Sequence, residues 1–140
     1  MPRADFYLIE KPRFRDDPML LVCELVKRAY SAELPTLVLV RTLEDAEILD
    51  DKLWAFEEDS YIPHQIAGQD DDDVTPVLIV PPGAAAPDRS LVINLRDECA
   101  SGEFESVKEV VPADSRERDG SRQRWAEYRR RGFDVRKFDM

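Results

Sequence analysis

The feature that most constrains the fold is an uninterrupted run of apolar, mostly β-branched residues at positions 36–40, Thr-Leu-Val-Leu-Val. A strand with one face in solvent would alternate apolar and polar residues, so a continuous run indicates a strand buried on both faces. Parallel sheets covered by helices bury their strands in this way. Similar short runs predict about five strands in all, the other four at residues 6–9, 76–80, 90–95 and 107–111.

Segments with a helical spacing of apolar residues separate these runs. Asp17 followed by Pro18 predicts a helix start, because Pro is favoured at the first helical position. Thr42, with Asp45 three residues later, predicts a second start of the capping-box type. The apolar stripe of the first helix comprises Leu21, Val22, Leu25, Val26 and Ala29. The stripe of the second comprises Ala46, Leu49, Leu53 and Phe56.

A last helix is predicted to end near Arg131, since Gly132 stands where a C-terminal cap glycine belongs. Ser115 and Ser121 are both candidates for its start. Gly120 costs about 1 kcal/mol inside a helix. This cost favours the later start, or an irregular one.

Alternating strand and helix patterns predict βαβ units and therefore an α/β chain. We expect one Rossmann-like domain over residues 1–140. Its open, mostly parallel sheet of about five strands should carry helices on both faces. Residues 57–75 are expected to form a long loop and residues 81–87 an irregular connector, whereas residues 97–106 fit either a loop or a short helix. No internal repeat or second domain is expected.

The chain lacks the glycine pattern of a nucleotide-binding loop. A phosphate cradle needs glycines between the first strand and the first helix, so that backbone amides can approach the anion. Residues 10–15 in that place read Glu-Lys-Pro-Arg-Phe-Arg, and the five glycines lie elsewhere. We therefore expect no nucleotide cofactor and no nucleotide hydrolysis.

Residues for catalysis or metal binding are also scarce. His64 is the single histidine, so neither a histidine-based triad nor a zinc site built on histidines can be assembled. His64 is interpreted as a surface or interface residue, with a lone general base as the alternative. The acids at 70–73 lack the alternating spacing of a calcium loop and are interpreted as a solvated loop, with a cation site as the alternative. We expect no catalytic residue, no metal and no cofactor.

Charge is distributed unevenly along the chain. The net charge is −10, yet residues 116–140 carry a net +4 and residues 1–115 a net −14. An acidic body with a basic end suggests a local anionic partner rather than extensive contact with DNA. The alternative is a solvated basic helix that only balances the acidic body.

The cysteines, the N-terminus and the hydropathy bear on the cellular compartment of the protein. Cys23 and Cys99 form neither a close pair nor a metal-binding spacing, and the N-terminus does not resemble a secretory signal. No apolar run approaches the roughly 20 residues of a membrane helix. We expect a cytoplasmic chain with reduced thiols and no membrane contact.

Trp54 and the segment after it form one unusual feature. Trp54 lies about 120° from the apolar stripe of its helix, and Tyr61, Pro63 and His64 follow closely. Exposed aromatic residues near proline commonly mark protein contacts. The alternative is that the loop folds back over Trp54 as a small satellite cluster.

The basic face of the last helix is the other unusual feature. Arg118, Arg122, Trp125 and Arg129 are spaced by 4, 3 and 4 residues and so share one face. Arginines beside aromatic rings suit an acidic peptide with an apolar anchor and a terminal carboxylate. They could also hold single-stranded nucleic acid by phosphate contact and base stacking. In a third interpretation Trp125 belongs to the core.

Several short motifs follow one another along nearly the whole chain. They are Phe6-Tyr7-Leu8, Leu21-Val22-Cys23-Glu24, Leu53-Trp54, Tyr61-Ile62-Pro63-His64, Ala67-Gly68 and Arg122-x-Arg124-Trp125-x-x-Tyr128-x-x-x-Gly132-Phe133. In their order and spacing these motifs resemble those of the chi subunits of bacterial DNA polymerase III. The resemblance implies a Rossmann-like fold without nucleotide binding and an accessory protein with two binding surfaces and no catalysis.

Each implied surface has its own partner. The resemblance implies that one binds the acidic C-terminal tail of single-stranded DNA-binding protein, through Arg118, Arg122, Trp125 and Phe133. The other binds the psi subunit, which links chi to the clamp loader, or an equivalent replication or repair protein. Its residues by position are Trp54, Tyr61, Pro63 and His64.

Three functions follow from these observations as alternatives. The first is a chi-like adaptor that contacts DNA only indirectly. The second is a protein that binds single-stranded nucleic acid directly through the basic helix, against which the acidic body argues. The third is an enzyme on a degenerate nucleotide-binding fold, against which the missing glycine loop argues.

Overall fold

The computed structural model describes residues 2–56 and 61–140, and its centre is one sheet of seven parallel strands. In chain order the strands are β1 (Arg3–Leu8), β2 (Thr36–Leu39), β3 (His64–Ile66), β4 (Val77–Val80), β5 (Leu91–Asn94), β6 (Ser106–Val111) and β7 (Asp134–Asp139). Across the sheet the order is β3-β4-β2-β5-β6-β1-β7. The α/β class with a parallel, Rossmann-like sheet is as the sequence predicts.

Helices cover both faces because successive side chains of each strand point in opposite directions. Three helices lie on one face: α1 (Pro12–Asp16), α2 (Pro18–Ser31) and α3 (Leu43–Ala55). They enclose a cluster that includes Leu21, Leu25, Leu49, Leu53 and Ile79, all nearly inaccessible to solvent. On the opposite face α4 (Ser115–Arg130) covers β1 and β6 through a second cluster, and small residues of the connector at 81–87 cover the other strands.

The expected number of about five strands is wrong, because two edge strands lack an apolar run. β3 has three residues and lies in the segment predicted as a loop at 57–75, of which residues 57–60 lie outside the described part. β7 reads Asp-Val-Arg-Lys-Phe-Asp. An edge strand pairs on one side only and is often charged, so its sequence carries little of the signal of a buried strand.

The start of the last helix also differs from the expectation. It begins at Ser115, and the Asp114 side chain accepts a hydrogen bond from the Arg116 amide at 2.8 Å. Gly120 therefore lies within α4, where a Cβ would come within 3.3 Å of a guanidinium nitrogen of Arg124. The glycine makes room for that buried arginine, which offsets its low helix propensity.

The other predicted boundaries are close to those observed. Thr42 caps α3 by accepting a hydrogen bond from the Asp45 amide at 3.0 Å. The helix after Asp17 begins at Pro18, although the Asp17 carboxylate pairs with Lys52 at 2.6 Å instead of capping. Residues 97–106 contain no helix before β6 begins at Ser106.

Candidate binding surfaces

A buried polar network fixes α4 on the sheet. Glu109 of β6 is fully buried and accepts three hydrogen bonds, from Arg124 Nε at 2.8 Å and from Asn94 Nδ2 and the Tyr128 hydroxyl at 2.7 Å each. Burial raises the pKa of Glu109, and the Arg124 charge and the hydrogen bonds oppose that rise. Burial also raises the pKa of the Tyr128 hydroxyl. The network therefore determines which face of α4 turns toward solvent.

The face of α4 left open borders a groove of about 310 Å³. Its residues come from β1, α4 and β7, which the sheet order places side by side. They are Phe6, Leu8, Arg118, Ser121, Arg122, Trp125 and Lys137. Three of the four residues predicted for the first binding surface thus lie together.

Apolar rings form the wall of the groove. Trp125 is half-buried, and its ring centroid lies 5.1 Å from that of Phe6 at a tilt of 53°. Trp125 therefore packs against the core on one side and lines the groove on the other. The core and surface interpretations of this residue are both partly correct.

Cations border this apolar wall. Arg118 is half-buried and donates to the carbonyl of Ile9 at 3.1 Å, which holds its side chain in place. The Arg122 side chain is 80% exposed, and its ion pair, at 3.3 Å, is with Asp119, which is 73% exposed. Such exposed pairs are weak, so the Arg122 guanidinium is free to exchange its partner for a ligand.

Lys137 also lines the groove, although no pattern in the sequence predicts it. Its β7 position pairs with Phe6 of β1, which places Lys137 at the same edge. The segment has only two apolar residues, Val135 and Phe138, and they are three positions apart, so it carries no strand signal by which Lys137 could have been found. Phe133 lies elsewhere, with its ring 5.6 Å from that of Phe104 and 5.2 Å from that of Tyr128.

A second surface surrounds Trp54. Trp54 is 55% exposed, as its position off the apolar stripe predicts, and its ring lies 5.5 Å from that of the exposed Tyr61. Tyr61 packs against the indole without covering it, and Pro63 beside it is half-buried. Two neighbouring aromatic rings are thus open to solvent at the β3 edge of the sheet.

His64, interpreted from the sequence as a surface or interface residue, does not lie at the surface of this chain. His64 begins β3 and is buried, and its ring nitrogens lie 2.6 Å from the carbonyl oxygen of Ile62 and 3.2 Å from that of Asp50. Its ring centroid is 4.8 Å from that of Trp54. His64 therefore packs against the buried side of the Trp54 indole, because the pairing of β3 with β4 places its side chain inside the protein.

The carboxyl ends of the central strands, where open α/β sheets commonly bind ligands, are occupied by two arginines. Arg96 donates to the carbonyls of Val40 and Val80 at 3.0 and 2.9 Å, and Arg41 donates to the carbonyl of Leu95 at 2.9 Å. Arg41 also hydrogen-bonds Glu117, which lowers the pKa of that carboxyl. The guanidinium groups of Arg41 and Arg96 thus bind backbone carbonyls at the carboxyl ends of β2, β4 and β5.

The acids at 70–73 are partly used within their own loop. Asp72 accepts hydrogen bonds from the Gly68 amide and from Gln65, each at 2.7 Å, and the first of these is the main reason that its pKa is lowered. No cluster of three metal-binding side chains is found among the described residues. Within the same part of the chain, no helix is both long and apolar enough to cross a bilayer.

Solved structures resemble the fold at low sequence identity. Dbp5 of Saccharomyces cerevisiae, in a structure with Nup159, Gle1, IP6 and ADP, superimposes with a TM-score of 0.68 at 14% identity. The match covers 99% of this chain and 42% of the Dbp5 chain, so this chain spans less than half of that protein. At such identity the likeness concerns the fold alone.

Comparisons of sequence are more specific. DNA polymerase III subunit chi of Escherichia coli K12 is 29% identical over 141 aligned residues, covering 96% of both chains. The chi subunit of Pseudomonas aeruginosa PAO1 is also 29% identical, over 95% of this chain and 93% of its own length. The sequence model for the family described as DNA polymerase III chi subunit, HolC, matches residues 1–136. The chain therefore belongs to the DNA polymerase III chi subunit family, whose members are accessory, non-catalytic subunits of DNA replication.

Proposed function

We propose that this chain is a cytoplasmic adaptor that binds the acidic C-terminal tail of single-stranded DNA-binding protein and links it to the clamp loader through psi or an equivalent protein. The observation that carries the proposal is the groove between α4, β1 and β7. There Arg118, Arg122 and Lys137 surround an apolar wall of Phe6 and Trp125. In this proposal the chain is one domain that carries two separate binding surfaces.

The chemistry of the groove suits a peptide of that kind. Acidic residues of the tail would pair with Arg122 and Lys137, whose present partners Asp119 and Asp139 are exposed acids at 3.3 and 3.9 Å. The apolar end of the tail would pack on Trp125. The net −14 of residues 1–115 repels an acidic peptide elsewhere and steers it to this end of the molecule.

The expected affinity is modest. Exposed charge pairs contribute about 0–1 kcal/mol each, and a groove of about 310 Å³ buries only a short apolar segment. We expect a dissociation constant on the order of micromolar. Because the Debye length is about 8 Å at physiological ionic strength, added salt should weaken binding further.

The surface around Trp54 is proposed to bind psi or its equivalent. Trp54 and Tyr61 offer exposed rings, and the buried His64 holds the indole in place, so little side-chain entropy is lost on binding. Pro63 stiffens the backbone between them. This edge of the sheet is the one opposite β7, so both partners can bind at once.

Fluorescence anisotropy with a labelled peptide of the tail tests the groove. Arg122→Glu exchanges an attraction for a repulsion and should weaken binding by about 1–2 kcal/mol, or roughly five- to thirtyfold. The matched control is Arg130→Glu, the same charge change on the same helix at 77% exposure, against 80% for Arg122. Arg130 lies about 12 Å farther along the helix axis, beyond a Debye length, and does not line the groove.

The competing function is direct binding of single-stranded nucleic acid. The tail peptide should bind at physiological salt far better than an oligonucleotide of thymidines, and removal of its terminal apolar residues should abolish binding. If the oligonucleotide displaces the peptide at equal concentration and the truncated peptide binds unchanged, the groove is a nucleic-acid site. If Arg122→Glu and Arg130→Glu weakened peptide binding equally, the peptide would be responding only to the overall charge of the protein.

A further inference from the structure

A second, wider cleft lies away from both surfaces, at the amino ends of the strands. Its volume is about 700 Å³, more than twice that of the groove beside α4. The end of α2, the segment entering β4 and the segment entering β5 form its walls. Nothing in the proposed adaptor function uses this cleft.

Exposed apolar side chains line the cleft. Leu34 is 43% exposed and Val74 80% exposed, and Tyr30 stands beside them at the end of α2. Removing apolar side chains from water is favourable. Three of them around one concavity form a contiguous apolar patch, which an isolated surface residue does not. The cleft therefore favours an apolar anchor.

Carboxylates at the rim of the cleft give this site its charge. Glu33, Asp73 and Asp88 are exposed lining residues, and none of the three forms an ion pair with another described residue. They differ in this from most acids on α4 and β7, which have basic neighbours. A cationic ligand would meet three unpaired negative charges here.

The one basic residue of the lining, Arg89, interacts electrostatically with Asp73 but forms no ion pair with a rim carboxylate. Arg89 is buried, and its guanidinium donates to the carbonyls of Pro76 at 2.8 Å and Asp72 at 2.7 Å. A third, longer contact of 3.4 Å reaches the carbonyl of Thr36. Arg89 thus links the segments that form the walls of the cleft. Its guanidinium donors are taken by backbone carbonyls of those segments.

We propose that this cleft binds a short basic segment of a partner protein, with an aliphatic or aromatic anchor between lysines or arginines. The anchor occupies the space between Tyr30, Leu34 and Val74, and the flanking cations pair with the three rim carboxylates. The charge requirement is opposite to that of the groove beside α4, so an acidic tail is excluded from this cleft. The two sites therefore select different partners on the same chain.

A peptide with two leucines between paired lysines, acetylated and amidated at its ends, is the probe. Titrated into the full chain labelled with nitrogen-15, it should shift backbone amides of residues 30–34, 73–75 and 88–89 and leave those of α4 unchanged. A second peptide with serines for the leucines should bind at least about fivefold more weakly, because burial of each leucine is lost.

Variants of exposed residues then assign the interactions. Each exposed charge pair is worth up to about fivefold in affinity, so Asp73→Lys with Asp88→Lys, which removes two such pairs, should weaken the probe by roughly tenfold. Leu34→Ser, at a leucine 43% exposed, should weaken it several-fold, whereas Leu43→Ser, at a leucine 56% exposed on α3, should not. Thermal stability should be unchanged in all three, since every altered side chain is exposed.

Three outcomes would overturn the proposal. The first is amide shifts spread over all acidic surfaces, or equal binding of the serine peptide, which would mean nonspecific attraction to the acidic body. The second is an equal loss in Leu43→Ser and Leu34→Ser. The third is self-association in sedimentation that the double lysine variant abolishes while the probe fails to bind, because the occupant would then be a second copy of this chain.

Discussion

Arg124→Met tests whether the buried network, rather than the intrinsic helicity of α4, holds this helix on the sheet. Arg124 Nε lies 2.8 Å from Glu109, and Nη1 donates to the carbonyl of Asp97 at 3.0 Å. Both members of the ion pair are almost inaccessible to solvent. Methionine approximates the length of the arginine stem, so the main change is that the Glu109 carboxylate loses its counter-charge.

The expected cost follows from that loss. Removing one partner of a buried ion pair costs about 3–5 kcal/mol. Two neutral donors, Asn94 and Tyr128, remain on Glu109, which places the expected loss toward the lower end, about 3 kcal/mol. In a domain with about 5–15 kcal/mol of stability, the variant should fold but with clearly reduced stability.

The pH dependence distinguishes this cause from lost packing. Burial already raises the pKa of Glu109 above its ordinary 4.5, and loss of Arg124 raises it further. A raised folded-state pKa means that the folded state holds its proton to higher pH than the unfolded state, so stability falls as pH rises between the two values. The loss in free energy of unfolding of Arg124→Met relative to the wild type should therefore become smaller as pH falls through the raised pKa, by up to about 1.4 kcal/mol per pH unit.

Urea unfolding followed by far-ultraviolet circular dichroism, repeated across a pH series, measures this. The matched control is Arg130→Met, the same substitution at a 77% exposed site on α4, which should cost less than about 0.5 kcal/mol at any pH. Glu109→Gln combined with Arg124→Met should be less destabilising than the sum of the single changes by about 1–3 kcal/mol. A small, pH-independent and additive loss would refute the reasoning.

Other changes have simpler readouts. Trp54→Ala removes an exposed ring, so thermal stability should be unchanged while capture of purified psi or its equivalent is lost; unfolding of the variant would show that Trp54 is structural. Leu53→Ala opens a cavity at the adjacent, buried position and should cost about 2–5 kcal/mol in urea unfolding. Glu117→Gln should lose less than about 1 kcal/mol near neutral pH. That difference should vanish as pH falls through the lowered pKa of Glu117, because the protonated wild type then loses the same pair with Arg41. Calorimetry with ATP, GTP and NAD should show no binding, and micromolar binding of any of them would contradict the assignment of Arg41 and Arg96 as filling the strand ends.

Several features could be predicted from the sequence because they depend on local pattern. The run at 36–40 specifies a strand buried on both faces, and the strand observed there lies in the middle of the sheet. Thr42 with Asp45 specifies the cap of α3 through side-chain and backbone groups three residues apart. The position of Trp54 off the apolar stripe of α3 follows from its angle on the helix wheel. Residues close in sequence determine all three.

Other features depend on which segments meet in space, and the sequence carries no local signal for them. β7 forms because β1 offers a free edge, and only that pairing brings Lys137 beside Phe6. The partners Glu109 and Arg124 are 15 residues apart, and the pairing turns one of the many arginines of the basic segment into a core residue. The same buried guanidinium explains Gly120 inside α4.

The sequence by itself determined the α/β class, the central strands, the cap of α3 and the charge contrast between body and tail, since each depends on residue type and spacing. Tertiary structure alone decided which basic residues reach a ligand and which are buried, and it placed His64 beneath Trp54 and Phe133 away from the groove. The physical reason is that burial and ion pairing belong to pairs of distant segments. Their free energies arise only when the sheet brings those segments into contact.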